Sequence, residues 1–202
     1  MSKRHAAAVL HLRDGDLRLG KLIDTVGVCR LKLRRNRFES LVQAIISQQI
    51  STAAARTIRL RLEERTGGFT PESLMALADE DFRISGISPQ KIRYLRDLSE
   101  HVQSGALPLN RMGRLSDEEV IERLVAVKGI GRWTAQMFLM FSLGRPDVLP
   151  HDDLGIKNAI RRLYELEEVP TRDEIDVIAQ PWRPHASVAC WYLWRSLENV
   201  PG

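Results

Sequence analysis

Apolar positions along the chain recur at three- and four-residue spacing and are broken at short intervals by turn residues. Phe38, Leu41, Val42, Ile45 and Ile46 form one helical stripe. It stops where polarity rises at Ser47-Gln48-Gln49-Ile50-Ser51, and Ser51 is placed to cap a helix from Thr52 to about Arg65, which Gly67-Gly68 ends. Thr70-Pro71-Glu72-Ser73 opens a short helix with proline in its first turn. Ser85-Gly86-Ile87-Ser88-Pro89 is a turn before a helix reaching about Gln103. After a loop from Pro108 to Leu115, Ser116-Asp117-Glu118-Glu119 carries the capping-box pattern and opens a helix with Val120, Leu124 and Val127 on one side. Gly129-Ile130-Gly131 breaks that helix, because glycine takes the positive φ a sharp turn needs. A second apolar helix then runs from about Arg132 to Leu143.

Past Pro150-His151-Asp152-Asp153, the positions Ile156, Ile160 and Leu163 mark another stripe. Pro170-Thr171-Arg172-Asp173-Glu174 caps a further helix, and the chain closes with a helix containing Trp191, Tyr192 and Trp194. At the other end, residues 1–30 read as a polar start, the turn Asp14-Gly15-Asp16 and a helix from about Leu17 to Val26. No stretch alternates as a strand does. The pattern predicts an all-α protein of two helical lobes with a cleft between them. Residues 1–37 are expected as a segment packing on the helical core, 38–112 as one lobe, and 113–202 as the lobe holding the glycine hairpin, closed by the C-terminal helix.

A chain of 202 residues can bury one substantial core or two small ones, and 44% hydrophobic with 28% charged residues suits a globular protein. The net charge of +4 is too small to name a partner. Its distribution says more, since Arg30, Lys32, Arg34, Arg35 and Arg37 fall close together, either as a solvated basic strip or as phosphate contacts. Cys29 and Cys190 have no metal-ligand spacing, and buried free thiols in a reducing compartment are expected. No apolar run is long enough to span a membrane, and the basic start Met1-Ser2-Lys3-Arg4 precedes too short an apolar segment for a signal peptide. A cytoplasmic protein is expected.

Two features carry chemistry. The N–H groups that open the helix at Arg132 have no partner within it, and phosphate is a natural ligand for such an end. Asp152 and Asp153 place carboxylates at the start of the next helix, where either could simply cap it.

Gly129-Ile130-Gly131-Arg132-Trp133-Thr134-Ala135 and Leu149-Pro150-x-Asp152-Asp153-x-x-Ile156-Lys157 resemble the helix-hairpin-helix superfamily of DNA glycosylases, and within it the 3-methyladenine DNA glycosylase II (AlkA-type) branch. The similarity runs from about Phe38 to Trp194. It implies a monofunctional glycosylase of base excision repair that hydrolyses the N-glycosidic bond of alkylated purines, the 3-methyladenine and 7-methylguanine class, in duplex DNA. The rivals are a glycosylase for a deaminated or oxidised base and a non-catalytic helix-hairpin-helix binder. Larger members have a β-rich N-terminal domain that the first segment here is too short to form.

The resemblance also assigns residues. It chooses Asp153 over Asp152 as the catalytic carboxylate. Gly129, Gly131, Arg132 and Thr134 would hold the DNA backbone, and Gln49 would wedge into the gap left by the flipped base. Trp133 and Trp191 would line the base pocket, an indole face attracting a cationic purine. Met137 and Leu154 stand where larger members have tyrosines, which implies a wider pocket. Carbonyls of Val125, Val127 and Gly129 match positions that hold a monovalent cation; apart from that Na⁺ or K⁺, no cofactor is implied. Members that also nick the strand have a lysine where this chain has Trp133, and Lys128 is not at that position. The expected partner is double-stranded DNA with a flipped damaged base, bound by a monomer in the bacterial nucleoid. Trp182, Tyr192 and Trp194 read as core or surface aromatics, His151 and His185 as polar surface or DNA-facing groups, and the Gly86 turn as a degenerate echo of the main hairpin.

Overall fold

The computed structural model describes residues 5–198, so the basic start Met1–Arg4 lies outside the described residues. Twelve α-helices are found among them and no strand: α1 Ala6–Gly15, α2 Leu17–Val26, α3 Arg37–Ser47, α4 Thr52–Thr66, α5 Pro71–Ala76, α6 Asp79–Ser85, α7 Pro89–Gln103, α8 Asp117–Val125, α9 Arg132–Phe138, α10 Leu154–Tyr164, α11 Arg172–Ala179 and α12 Ala186–Glu198. No helix among the described residues is long and apolar enough to cross a membrane.

Side-chain caps account for most of the starts. Asp16, Asn36, Ser51, Ser88 and Asp153 each accept an amide from the first turn of their helix. Thr70, Ser116 and Thr171 form reciprocal capping boxes. The polar start of the sequence is helical: Ala6-Ala7-Ala8 has high intrinsic helix propensity, and α1 buries Ala8 and Leu12. The helix expected from Arg132 to Leu143 is α-helical only to Phe138, and Leu139–Leu143 continues as a π-turn. Of the two hairpin glycines, only Gly129 takes a positive φ, at 82°, whereas Gly131 is extended at φ −94° and ψ 171°.

The chain divides into two compact units. One gathers the residues up to Leu33 with those from Gly144 onward; the other is Arg34–Leu143. These bounds differ from the lobes expected at 38 and 113, because the first two helices pack with the last ones and the hairpin packs with α3.

In the unit formed by the two ends, α2 lies against α10 and α12, and α1 against α2. Leu12, Leu19, Ile156, Ile160, Trp182 and Tyr192 are fully buried there. Burial of each such side chain is worth about 1.5–3 kcal/mol. Asp16 ties the unit together: one oxygen caps α2, and the other accepts the Trp182 indole at 2.9 Å and the Tyr164 hydroxyl. Burial first, and the bond to Asp16 second, push the Tyr164 phenol far above its ordinary range, so it remains a donor. In the Arg34–Leu143 unit, α3 packs on α4, α7 and α9, with Leu41, Val42, Ile45, Leu62, Leu95 and Leu124 in the core.

Candidate active site

The hairpin is α8, a turn over residues 126–131, and α9. Its glycines do different things. A Cβ on Gly129 would overlap the Tyr94 ring of α7, so that position is a close-packed corner as well as a left-handed one. A Cβ on Gly131 would meet nothing within 4 Å, which leaves the N–H end of α9 open to a ligand. The corner is braced from three sides. Gln48 donates its side-chain amide to the Gly129 carbonyl at 2.8 Å. The Lys91 ammonium donates to the carbonyls of Ile46 and Gln48, both at 2.7 Å. Asp97 accepts the Lys128 amide at 2.9 Å and its ammonium at 3.0 Å. Burial pushes the Asp97 carboxyl up, but the Lys128 bonds and the nearby His101 outweigh it and hold the group below the ordinary aspartate value.

Gln49, the expected wedge, sits exposed in the turn between α3 and α4 with φ 59°, left-handed backbone that a glutamine adopts only under constraint. The bracing of its neighbour Gln48 supplies that constraint. A cavity of about 350 Å³ brings Gln49 and Ile50 together with Gly86, Lys91 and Gly129. The turn between α3 and α4, the Gly86 turn and the main hairpin therefore border one hollow.

Arg132 is committed to a two-pronged pair with Glu118 at 2.8 and 2.9 Å, and that guanidinium holds the Glu118 carboxyl low. Thr134 is buried. Trp133, 48% exposed, lines a cavity of about 430 Å³ with Thr134 and Met137 of α9, Phe141 of the π-turn, and Gln43 and Ser47 of α3. Arg34 of the basic strip lines the same cavity, while Arg35 and Arg37 line another, with Arg111. The carbonyl of Val127 accepts the Ile130 amide and that of Gly129 accepts Gln48. Each of these two carbonyls keeps a second lone pair.

Asp153 lies in the other unit, buried, as the N-cap of α10. Its Oδ1 accepts the Ile156 amide at 2.7 Å and the Trp194 indole N–H at 3.1 Å. Trp194 was thus underestimated from sequence, where only its place three residues after Trp191 hinted at a shared helix side. Asp152 is exposed. Leu154 is 67% exposed, whereas Trp191 is only 7% exposed. The Trp191 ring meets Tyr192 edge-on at 4.9 Å and carries the Arg195 guanidinium 5.3 Å from its centroid. Cys190 is buried beside this carboxylate, and burial, then the Asp153 charge, push its thiol far up. Cys29 is also buried and free. His151 pairs with Asp176 at 2.7 Å, and His185 meets His11 edge-on at 5.2 Å, so both have partners that the sequence did not reveal.

The hairpin corner with its open amide end lies in one unit, and the buried aspartate that starts α10 lies in the other. A family model described as "HhH-GPD superfamily base excision DNA repair protein" matches residues 42–184. The chain belongs to the HhH-GPD superfamily. DNA-3-methyladenine glycosylase 1 of Schizosaccharomyces pombe is 39% identical over 196 residues, 94% of this chain and 86% of that protein. The solved DNA-3-methyladenine glycosidase of Bacillus halodurans is 40% identical and matches with a TM-score of 0.86 over 95% of this chain and 89% of that one. The S. pombe 3-methyladenine DNA glycosylase in complex with abasic DNA is 38% identical, with a TM-score of 0.84 over 96% of this chain and 97% of that one. These HhH-GPD relatives bear out the all-α fold and the 3-methyladenine glycosylase branch expected from the motifs.

Proposed function

We propose that this HhH-GPD protein is a monofunctional DNA glycosylase that hydrolyses the N-glycosidic bond of alkylated purines in duplex DNA and works as a monomer. One observation carries it: a buried carboxylate, Asp153, fixed at the start of α10 by two donors on a single oxygen. Its relatives' names supply the substrate class.

The target sugar carbon is hidden in a stacked duplex, so the nucleotide must be turned out of the helix. The amide end of α9, unobstructed at Gly131, is the candidate grip on the backbone, and exposed Gln49 the candidate filler of the gap. A monovalent cation on the Val125, Val127 and Gly129 carbonyls would add positive charge beside that phosphate. A purine methylated on a ring nitrogen is cationic, and the half-exposed indole face of Trp133 suits it. Trp191 has its face taken by Arg195, so Trp133 carries more of that recognition.

Cleavage of the C1′–N bond sends its electron pair to the base, which leaves neutral. The sugar becomes an oxocarbenium-like cation, and the carboxylate of Asp153 stabilises it electrostatically. Water then forms the new C1′–O bond, and its proton passes to Asp153 or to solvent. Strand nicking would need an amine on C1′. Trp133 offers none, and the Lys128 ammonium is held 3.0 Å from Asp97, which supports hydrolysis with an intact backbone.

The test is release of free base from N-methylated duplex DNA, followed by chromatography, with borohydride trapping in parallel. Release of 3-methyladenine without a trapped covalent complex is expected. Release of only deaminated or oxidised bases would move the substrate class, binding without any release would make the protein non-catalytic, and a trapped complex would overturn the monofunctional assignment.

A further inference from the structure

A carboxylate held by a single donor still swings about its side-chain bonds. Asp153 is held by two donors on one oxygen, and they come from different helices: the Ile156 amide of α10 at 2.7 Å and the Trp194 indole of α12 at 3.1 Å. The space between the two helices is set by Gly155. A Cβ there would lie 3.0 Å from Asp153 Oδ1 and 3.2 Å from Trp194 Cδ1. A glycine in the first turn of a helix lowers its propensity, by about 1 kcal/mol against alanine. Here it lets the indole reach the acid.

We propose that Trp194 is a positioning residue for the glycosylase reaction: its N–H fixes the plane of the Asp153 carboxylate, and Gly155 keeps the room that this bond requires. The inference rests on Asp153 being the catalytic carboxylate. An indole suits the task because it is a donor only and carries no charge. An arginine or lysine in its place would set a full positive charge beside the developing sugar cation. An indole orients the acid without opposing that charge and without taking its proton. Of the titratable groups nearby, Cys190 on α12 has its thiol pushed up by burial and by the charge of Asp153 and stays neutral, and Asp152 faces solvent.

Trp194→Phe removes the N–H and keeps an aromatic ring. Single-turnover release of 3-methyladenine is expected to slow by about tenfold to a hundredfold, the scale of a misplaced reacting group. Affinity for an abasic-site duplex should stay within about twofold of the parent, because the oriented acid matters only as charge develops. In an Asp153→Asn background the same change should cost nothing more, since the group it acts through has gone. Gly155→Ala, which presses on the same indole and carboxylate from the helix side, should slow release while the helix itself holds, and it keeps the test open if Trp194→Phe folds poorly. Equal losses of binding and rate, or a Trp194→Phe cost that adds in full to Asp153→Asn, would make Trp194 mere packing and overturn the proposal. An inactive Asp153→Asn beside a fully active Trp194→Phe removes only the positioning role. An active Asp153→Asn removes the catalytic assignment itself.

Discussion

Replacing Asp153 with alanine removes two hydrogen bonds at once, the cap to the Ile156 amide and the acceptor for the Trp194 indole. Loss of an N-cap costs about 1 kcal/mol. The bond from the half-buried Trp194 indole to a carboxylate is worth about 1–3 kcal/mol more. The sum is about 2–4 kcal/mol, which for a chain of this size lowers the melting temperature by about 5–15 °C. Asparagine keeps the oxygen that accepts both bonds, so Asp153→Asn should lie within about 1 kcal/mol of the parent. Both variants should lose base excision by orders of magnitude, because neither has a negative charge to set against the sugar cation. Thermal unfolding paired with base release therefore separates the two duties of one side chain. Equal destabilisation by Asn and Ala, or an Ala variant that melts with the parent, would refute the double-donor geometry.

The two hairpin glycines should part company under the same substitution. Gly129→Ala meets both a left-handed φ and the Tyr94 ring and should cost about 2–5 kcal/mol in urea unfolding, whereas Gly131→Ala should change stability by less than about 0.5 kcal/mol and weaken DNA binding; the reverse pattern would misplace the phosphate grip. Asp97 titrates below the ordinary aspartate value in the fold, so its contribution is complete above about pH 4 and fades as the pH falls through the lower folded value; stability curves of Asp97→Asn should lose that acid-side slope, and an unchanged slope would count against it. Glu118→Gln removes a negative charge and the two-pronged pair from beside Arg132 and should tighten duplex binding at low salt, with the difference vanishing as salt rises; weaker binding at low salt would show that the pair itself serves DNA.

Periodicity and caps made most of the helices legible. Ser51, Thr70, Ser116 and Thr171 announced helices that the fold then starts on those residues. What stayed hidden was contact between segments far apart in the chain. Nothing local marks Trp194 as the partner of Asp153, 41 residues earlier, or Gln48 as the brace of Gly129, 81 residues later. The grouping of the chain's ends was hidden for the same reason: α1 and α2 precede everything, yet they pack with α10 and α12. The positive φ was assigned to a glycine pair because sequence cannot tell a left-handed corner from an extended opening. Gly155 left a faint signal, a glycine where a helix should begin, whose cause appears only when α12 is in place.

The unit that holds Asp153 is sewn from both ends of the chain, whereas the other is the continuous stretch Arg34–Leu143. During translation the stretch Arg34–Leu143 is complete before the C-terminal helices that α1 and α2 pack against have been made, and domains fold as units as they are completed. The first two helices must wait for the last one. A half-made polypeptide can therefore hold the hairpin while α10 lacks its partner helix, and synthesis must pass Trp194 before the Asp153 carboxylate has both of its donors.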